Sequence, residues 1–177
     1  FFFGQIKKSA RSSEFEVAIQ WLLDCGLIYK VNRVNEPHMP LKAYQSMNAY
    51  KLFMMDVGLL GALSELPAES ILEGNDIFVE FKGALTEQYV LQQMISDTPY
   101  TPYYYGTDKG TFEQDFLIQK ERNIVPIEVK AEGNLRSQSL KAYCEKFHPN
   151  MAVRLSALKY KEQDWMINLP LYAVCNL

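Results

Sequence analysis

Pro126-Ile127-Glu128-Val129-Lys130-Ala131, read together with Glu113-Gln114-Asp115-Phe116-Leu117-Ile118, decides the fold of this chain. Side chains of an extended strand alternate between faces, so Glu128 and Lys130 share one face while Ile127 and Val129 point the other way, into a core. The polar residues from Lys120 to Asn123 predict a hairpin turn between the two apolar runs. Closing it brings Asp115 toward Glu128, and two carboxylates and an ammonium converge. Charged residues alternating with Ile and Val also describe an ordinary half-exposed strand, so the spacing gains its weight from what surrounds it.

Upstream, Asn75 or Asp76 can cap a long helix reaching about Ser96, with Ile77, Phe81, Ala84, Leu85, Leu91 and Ile95 as its buried stripe. Glu87 falls beside the Ala84 and Leu91 edge of that stripe and can look into the site. Gly83 lowers helix propensity, which predicts close packing there. Strands are expected at 100–105, 112–120 and 124–130, a helix at 137–147, and further strands at 151–155 and 171–174. The resulting order is α-β-β-β-α-β-β. Tyr103, Tyr104 and Tyr105 read as sheet packing before they read as a surface for stacking bases. Arg136, Ser137, Ser139 and Lys141 open the second helix, where they could receive a phosphate or where Ser137 could simply cap it.

Nearer the N-terminus, Phe15, Ala18, Ile19, Leu22 and Leu23 follow helical spacing and predict a helix over about 13–25, capped by Ser12 or Ser13 and stopped by Gly26. Strands at 27–34 and 51–55 follow, then a short helix capped by Asp56 and reaching Leu63. This helix, strand, strand pattern resembles a winged-helix module. A connector around Pro67, with a capping box from Ser70 to Glu73, divides a segment at 1–66 from one at 67–177. Lys7, Lys8 and Arg11 could touch DNA phosphates, but Glu14, Glu16 and Asp24 make the helix that follows acidic, which favours a contact with another domain. Met39, Met47, Met54 and Met55 show no helical stripe and read as packing, and His148 before Pro149 reads as a loop residue.

The chain of 177 residues is 48% hydrophobic, enough for a core, and its net charge is −3. Residues 1–66 carry 7 basic and 6 acidic groups and residues 67–177 carry 11 and 15, so neither part offers the basic surface that non-specific nucleic-acid binding draws on. Cys25, Cys144 and Cys175 are odd in number and widely spaced, which fits neither a disulfide framework nor a paired-ligand zinc site and suits a reducing cytosol. His38 and His148 are the two histidines, so a metal here would be held by oxygen. No apolar run approaches a membrane span. The opening Phe-Phe-Phe-Gly, without methionine or basic flank, reads as a cut from a longer chain.

Hard cations such as Mg²⁺ or Mn²⁺ prefer carboxylate and carbonyl oxygens, and a bound ion polarises a phosphoryl group and activates water. Asp115 and Glu128 are the candidate ligands, and the Val129 carbonyl is a third. Lys130 would orient the water or stabilise developing charge.

Several segments in order, namely Phe81-Lys82-Gly83-Ala84-Leu85-Thr86-Glu87-Gln88-Tyr89-Val90, Tyr103-Tyr104-Tyr105, Glu113-Gln114-Asp115-Phe116-Leu117 and the Glu128-Val129-Lys130 strand, are similar to the C-terminal DUF4143 region of bacterial and archaeal AAA-type ATPases. Lys51-Leu52-Phe53-Met54-Met55-Asp56-Val57-Gly58-Leu59-Leu60 resembles the segment that usually precedes it. The resemblance implies a restriction-endonuclease-like PD-(D/E)xK fold, an α-β-β-β-α-β core behind a small winged-helix-like α+β segment, itself behind an ATPase domain. No GxxxxGK[ST] phosphate loop occurs in these residues. Carried over, the superfamily pattern places its helix glutamate at Glu87, its metal aspartate at Asp115 and its Glu-x-Lys at Glu128 and Lys130. Gln114 departs from it, standing where the family commonly has an apolar residue. The implied activity is a metal-dependent nuclease acting on nucleic acid, or a non-catalytic module coupling the ATPase to a partner, with oligomerisation through the ATPase.

Overall fold

In the computed structural model, which describes residues 12–67, 69, 76–107, 112–131 and 137–177, the sequence patterns resolve into four helices and eight strands among the described residues. They run α1 (Ser12–Asp24), β1 (Ile28–Val34), β2 (Gln45–Met54), α2 (Val57–Leu63), α3 (Asp76–Asp97), β3 (Tyr103–Gly106) and β4 (Glu113–Lys120). Then come β5 (Asn123–Lys130), α4 (Gln138–Phe147), β6 (Val153–Ser156), β7 (Lys161–Glu162) and β8 (Ile167–Pro170). All the strands join one mixed sheet in the order β2-β1-β3-β4-β5-β6-β8-β7. No helix is long and apolar enough to cross a membrane among the described residues.

Glu121 and Arg122 form the turn between β4 and β5, Glu121 taking a left-handed backbone at φ 55°. Pairing runs from Lys120 opposite Asn123 to Phe116 opposite Ile127, as the polar break in the sequence predicts. Alternation then sorts the side chains. Tyr104, Phe116, Ile118, Val125, Ile127, Val153 and Leu155 pack with Val90, Leu91 and Met94 of α3, with Val129 against the same cluster. Tyr103, Tyr105 and Leu117 pack with Tyr143 of α4 on the other face. The tyrosine run is therefore core. Burying side chains of this size stabilises by about 1.5–3 kcal/mol each, which is what fixes the register of the hairpin.

The helix, strand, strand pattern near the N-terminus is present, and its strands continue the same sheet. β1 pairs antiparallel with β2 and parallel with β3, through Arg33 opposite Tyr104 and Val34 opposite Tyr105. Asp56 caps α2 as expected, accepting the Leu59 N–H at 2.8 Å. Gln88 of α3, which is 1% exposed, accepts the Met54 N–H at 2.9 Å and donates to the Met54 carbonyl at 2.7 Å, so one side chain finishes the end of β2 as a neighbouring strand would. Gln88→Leu leaves both backbone groups without partners and is expected to cost about 2 kcal/mol or more, read as a lower urea midpoint with an unchanged m value.

Several expectations are corrected. Gly83 is exposed, and a methyl group built on it meets nothing within 4 Å, so it marks no close contact. Ala84 is exposed, and the buried stripe of α3 is Leu85, Gln88, Val90, Leu91 and Met94. The strand expected at 171–174 is a 3-10 turn (Leu171–Asn176); the strand lies earlier, in β8, whose Pro170 pairs with Ser156. Met39, Met47 and Met55 are exposed instead of packed. Ser137 stands at the N-cap of α4 without a side-chain cap bond, and its buried hydroxyl has no partner among the described residues. His148 ends α4 in a left-handed conformation at φ 48°. Residues 1–11 with Lys7, Lys8 and Arg11, the capping box from Ser70 to Glu73, Asn75, Arg136 and the side chains of Ser12, Ser13 and Ile77 lie outside the described residues.

Candidate active site

Asp115 owes its position to an irregularity in the sheet. Pairing of β3 with β4 steps from Tyr103 opposite Leu117 to Tyr105 opposite Gln114, so β4 carries one extra residue at Asp115-Phe116. Such a bulge re-aims side chains and ends regular pairing. The β4–β5 ladder accordingly stops at Phe116 opposite Ile127, and beyond it the Asp115 carboxylate accepts the Val129 N–H at 2.7 Å. One side chain thus replaces a strand-to-strand bond and holds the mouth of the hairpin open.

The shift of one residue also turns Gln114 to the face that carries Glu128. Gln114 is fully buried; its amide nitrogen donates to the Ile127 carbonyl at 2.8 Å and lies 3.3 Å from Glu128 Oε2. Its Oε1 has no partner among the described residues. Glu128 is 3% exposed and receives Lys130 Nζ on Oε1 at 2.7 Å. Arg154 pairs with Glu128 in register across β5 and β6. Burial lowers the Arg154 pKa and Glu128 opposes that shift. Arg154 Nε in turn donates to Asn168 Oδ1 at 2.9 Å.

Glu87 approaches from α3. Its carboxylate is bonded to Lys51 Nζ at 2.8 Å, and the same ammonium reaches Glu113 Oε1 at 2.6 Å. Burial works against the Lys51 charge, but the two carboxylates outweigh it and push its pKa up. Lys51 thus closes a second cluster, and Asp115 feels charges from both, Glu128 of the first and Glu87 and Lys51 of the second.

Asp115 shows the strain of this arrangement. Burial, then the charges of Glu128 and Glu87, push its carboxyl from an ordinary 3.8 up to about 7, against the Val129 N–H and Lys51. An acid whose folded pKa is raised binds more protons folded than unfolded, so its contribution to stability is full below the unfolded pKa and is lost as pH rises toward the folded one. The metal-free protein is expected to lose melting temperature between pH 4 and 7 through this group, and thermal melts of Asp115→Asn across that range should show a flatter profile.

The structure therefore brings Asp115 within reach of the charge of Glu128, which Lys130 holds, with Glu87 near enough to be felt by Asp115 while tied to Lys51. Among the described residues no three His, Cys, Asp or Glu side chains converge as a metal cluster. Val129 contributes its N–H to Asp115. Lys51 and Glu113 escaped the sequence reading. The available signal was that Lys51 is the only charge in Tyr50-Lys51-Leu52-Phe53-Met54, an otherwise apolar run at the end of β2.

The model of DUF4143, a domain of unknown function, matches residues 82–173, which is more than half of the chain. The chain belongs to the DUF4143 family. A second domain of unknown function, DUF8612, matches residues 1–70. In this DUF4143 protein Glu87, Asp115, Glu128 and Lys130 fall in the first match and Lys51 in the second. No curated protein and no solved structure matches the chain.

Proposed function

We propose that this DUF4143 chain is a divalent-metal-binding module with a nuclease-like core, acting on nucleic-acid phosphodiesters in the service of an AAA-type ATPase domain in a cytosolic setting. The observation that carries the reading is a pair of carboxylates at the open end of a hairpin, the buried Glu128 and the half-buried Asp115, close enough that the charge of Glu128 helps push the Asp115 carboxyl up. The order α3-β3-β4-β5-α4-β6, with strands neighbouring in sequence order, supports the PD-(D/E)xK reading. The donors suit a hard ion: two carboxylates and, beside Glu128, the unpartnered Gln114 Oε1. Asp115 and Glu128 would hold Mg²⁺ or Mn²⁺, with the Val129 carbonyl as a further oxygen. The bound ion would polarise the phosphoryl group and make a water more acidic. Lys130 is about one-third exposed and can turn from Glu128 to a phosphate oxygen or the attacking water.

A non-catalytic reading, in which the module couples the ATPase to a partner, is favoured by Val17 and Trp21. These lie one helical turn apart on α1 and are 69% and 74% exposed. Titration with Mn²⁺ by calorimetry and assays of plasmid nicking and RNA cleavage separate the two. Mn²⁺ binding and cleavage by the unaltered chain, with cleavage but not Mn²⁺ binding lost in Lys130→Ala, support the nuclease; absence of both binding and cleavage from the unaltered chain supports the coupling module.

A further inference from the structure

The two lysines of the site hold different partners. Lys130 reaches Glu128 at 2.7 Å and no other carboxylate among the described residues, whereas Lys51, from the segment matched by the other family model, bridges Glu87 at 2.8 Å and Glu113 at 2.6 Å. Lys51 pairs with Val31, a core residue on the face covered by α3, and its Nζ sits 5.1 Å from the centre of the Tyr104 ring. Its side chain is 20% exposed, so the ammonium is enclosed by an aromatic face and two carboxylates. A polar oxygen that points to a further cation belongs to the other cluster: Gln114 Oε1 is fully buried and has no partner among the described residues, and the amide nitrogen of the same side chain lies 3.3 Å from Glu128 Oε2.

We propose that the Lys51 ammonium is a tethered cation standing where a second divalent ion would otherwise sit, so that the site takes one ion at Asp115 and Glu128 while Glu87 and Glu113 stay bound to Lys51. This rests on the metal-binding reading above and deepens it. Acidic phosphodiesterase sites hold either one ion or two, and two-ion sites use carboxylates to bracket both. Here the carboxylates of one half are neutralised by a charge built into the chain, which cannot leave and cannot activate water. The hairpin of β1 and β2 therefore sets the ion count of a site otherwise built by β4 and β5.

The test is Mn²⁺ stoichiometry and affinity, by calorimetry and electron paramagnetic resonance, on the full chain and on Lys51→Met and Lys51→Arg. The unaltered chain is expected to bind one ion. Lys51→Met, which removes a positive charge and frees two carboxylates, should bind a second ion or hold the first at least about tenfold more tightly. Lys51→Arg should behave as the unaltered chain. If Lys51→Met does not fold, Lys51→Gln, which keeps a neutral donor toward the carboxylates, carries the same expectation. Two ions bound with Lys51 intact overturn the proposal and leave the metal reading standing, as does a neutral variant whose stoichiometry is unchanged and whose affinity is unchanged or weaker. No Mn²⁺ bound by the unaltered chain or by either neutral variant overturns the metal reading itself.

Discussion

Asp115→Asn is expected to lower Mn²⁺ affinity and any phosphodiester cleavage at least about a hundredfold, while leaving the folded chain as stable at pH 7 as before or more stable. The opposite signs follow from what this carboxylate does. Asparagine keeps an oxygen that can accept the Val129 N–H, now made at 2.7 Å, so the mouth of the hairpin stays formed. It carries no charge, so the cost of desolvating a carboxylate and the repulsion from Glu128 and Glu87, which lift Asp115 to about 7, disappear. A divalent ion loses an anionic oxygen in the same exchange. Asp115→Leu separates the roles: it removes the acceptor too, leaves the Val129 N–H unpaired, and should cost about 1–3 kcal/mol in denaturant melts. If Asp115→Asn bound Mn²⁺ like the unaltered chain, the ion would not be at Asp115. A lower melting temperature for that variant would mean that the carboxylate is better solvated than its neighbours imply.

The central hairpin was legible because two independent periodicities agreed. Phe116, Ile118, Val125 and Ile127 alternate into the core, and the polar residues from Lys120 to Asn123 turn the chain; the ladder from Lys120 and Asn123 to Phe116 and Ile127 repeats that reading residue by residue. Asp56 was legible for a local reason, since a cap needs only the N–H groups that follow it. What the sequence concealed is non-local. Nothing in Gln45–Met54 shows that Lys51 meets Glu87, or that Gln88 completes the end of β2, because those contacts join residues 36 and 34 positions apart. The bulge at Asp115-Phe116 was concealed too, and it explains why Gln114, polar where the family commonly has an apolar residue, shares a face with Glu128 instead of opposing it. Gly83 misled because propensity weighs an exposed glycine and a tightly packed one alike.

Phe116→Ala is expected to have the largest effect on stability, about 3–5 kcal/mol, and to lower the melting temperature by roughly 6–20 °C. Phe116 is fully buried, and its ring centre lies 5.9 Å from that of Phe53 on β2. Phe53 falls in the segment matched at 1–70 and Phe116 in the one matched at 82–173, so the contact joins the two. The parallel pairing of β1 with β3 and the bonds of Gln88 to Met54 cross the same seam. With backbone ladder, buried amide and aromatic contact all spanning it, the segments should unfold together. Hydrogen exchange of the slowest amides in β1 and in β5 measures this: Phe116→Ala should lower protection in both by the same free energy. Loss confined to β5 would show that the hairpin of β1 and β2 opens independently of the sheet, and Lys51 could then leave Glu87 and Glu113 without global unfolding.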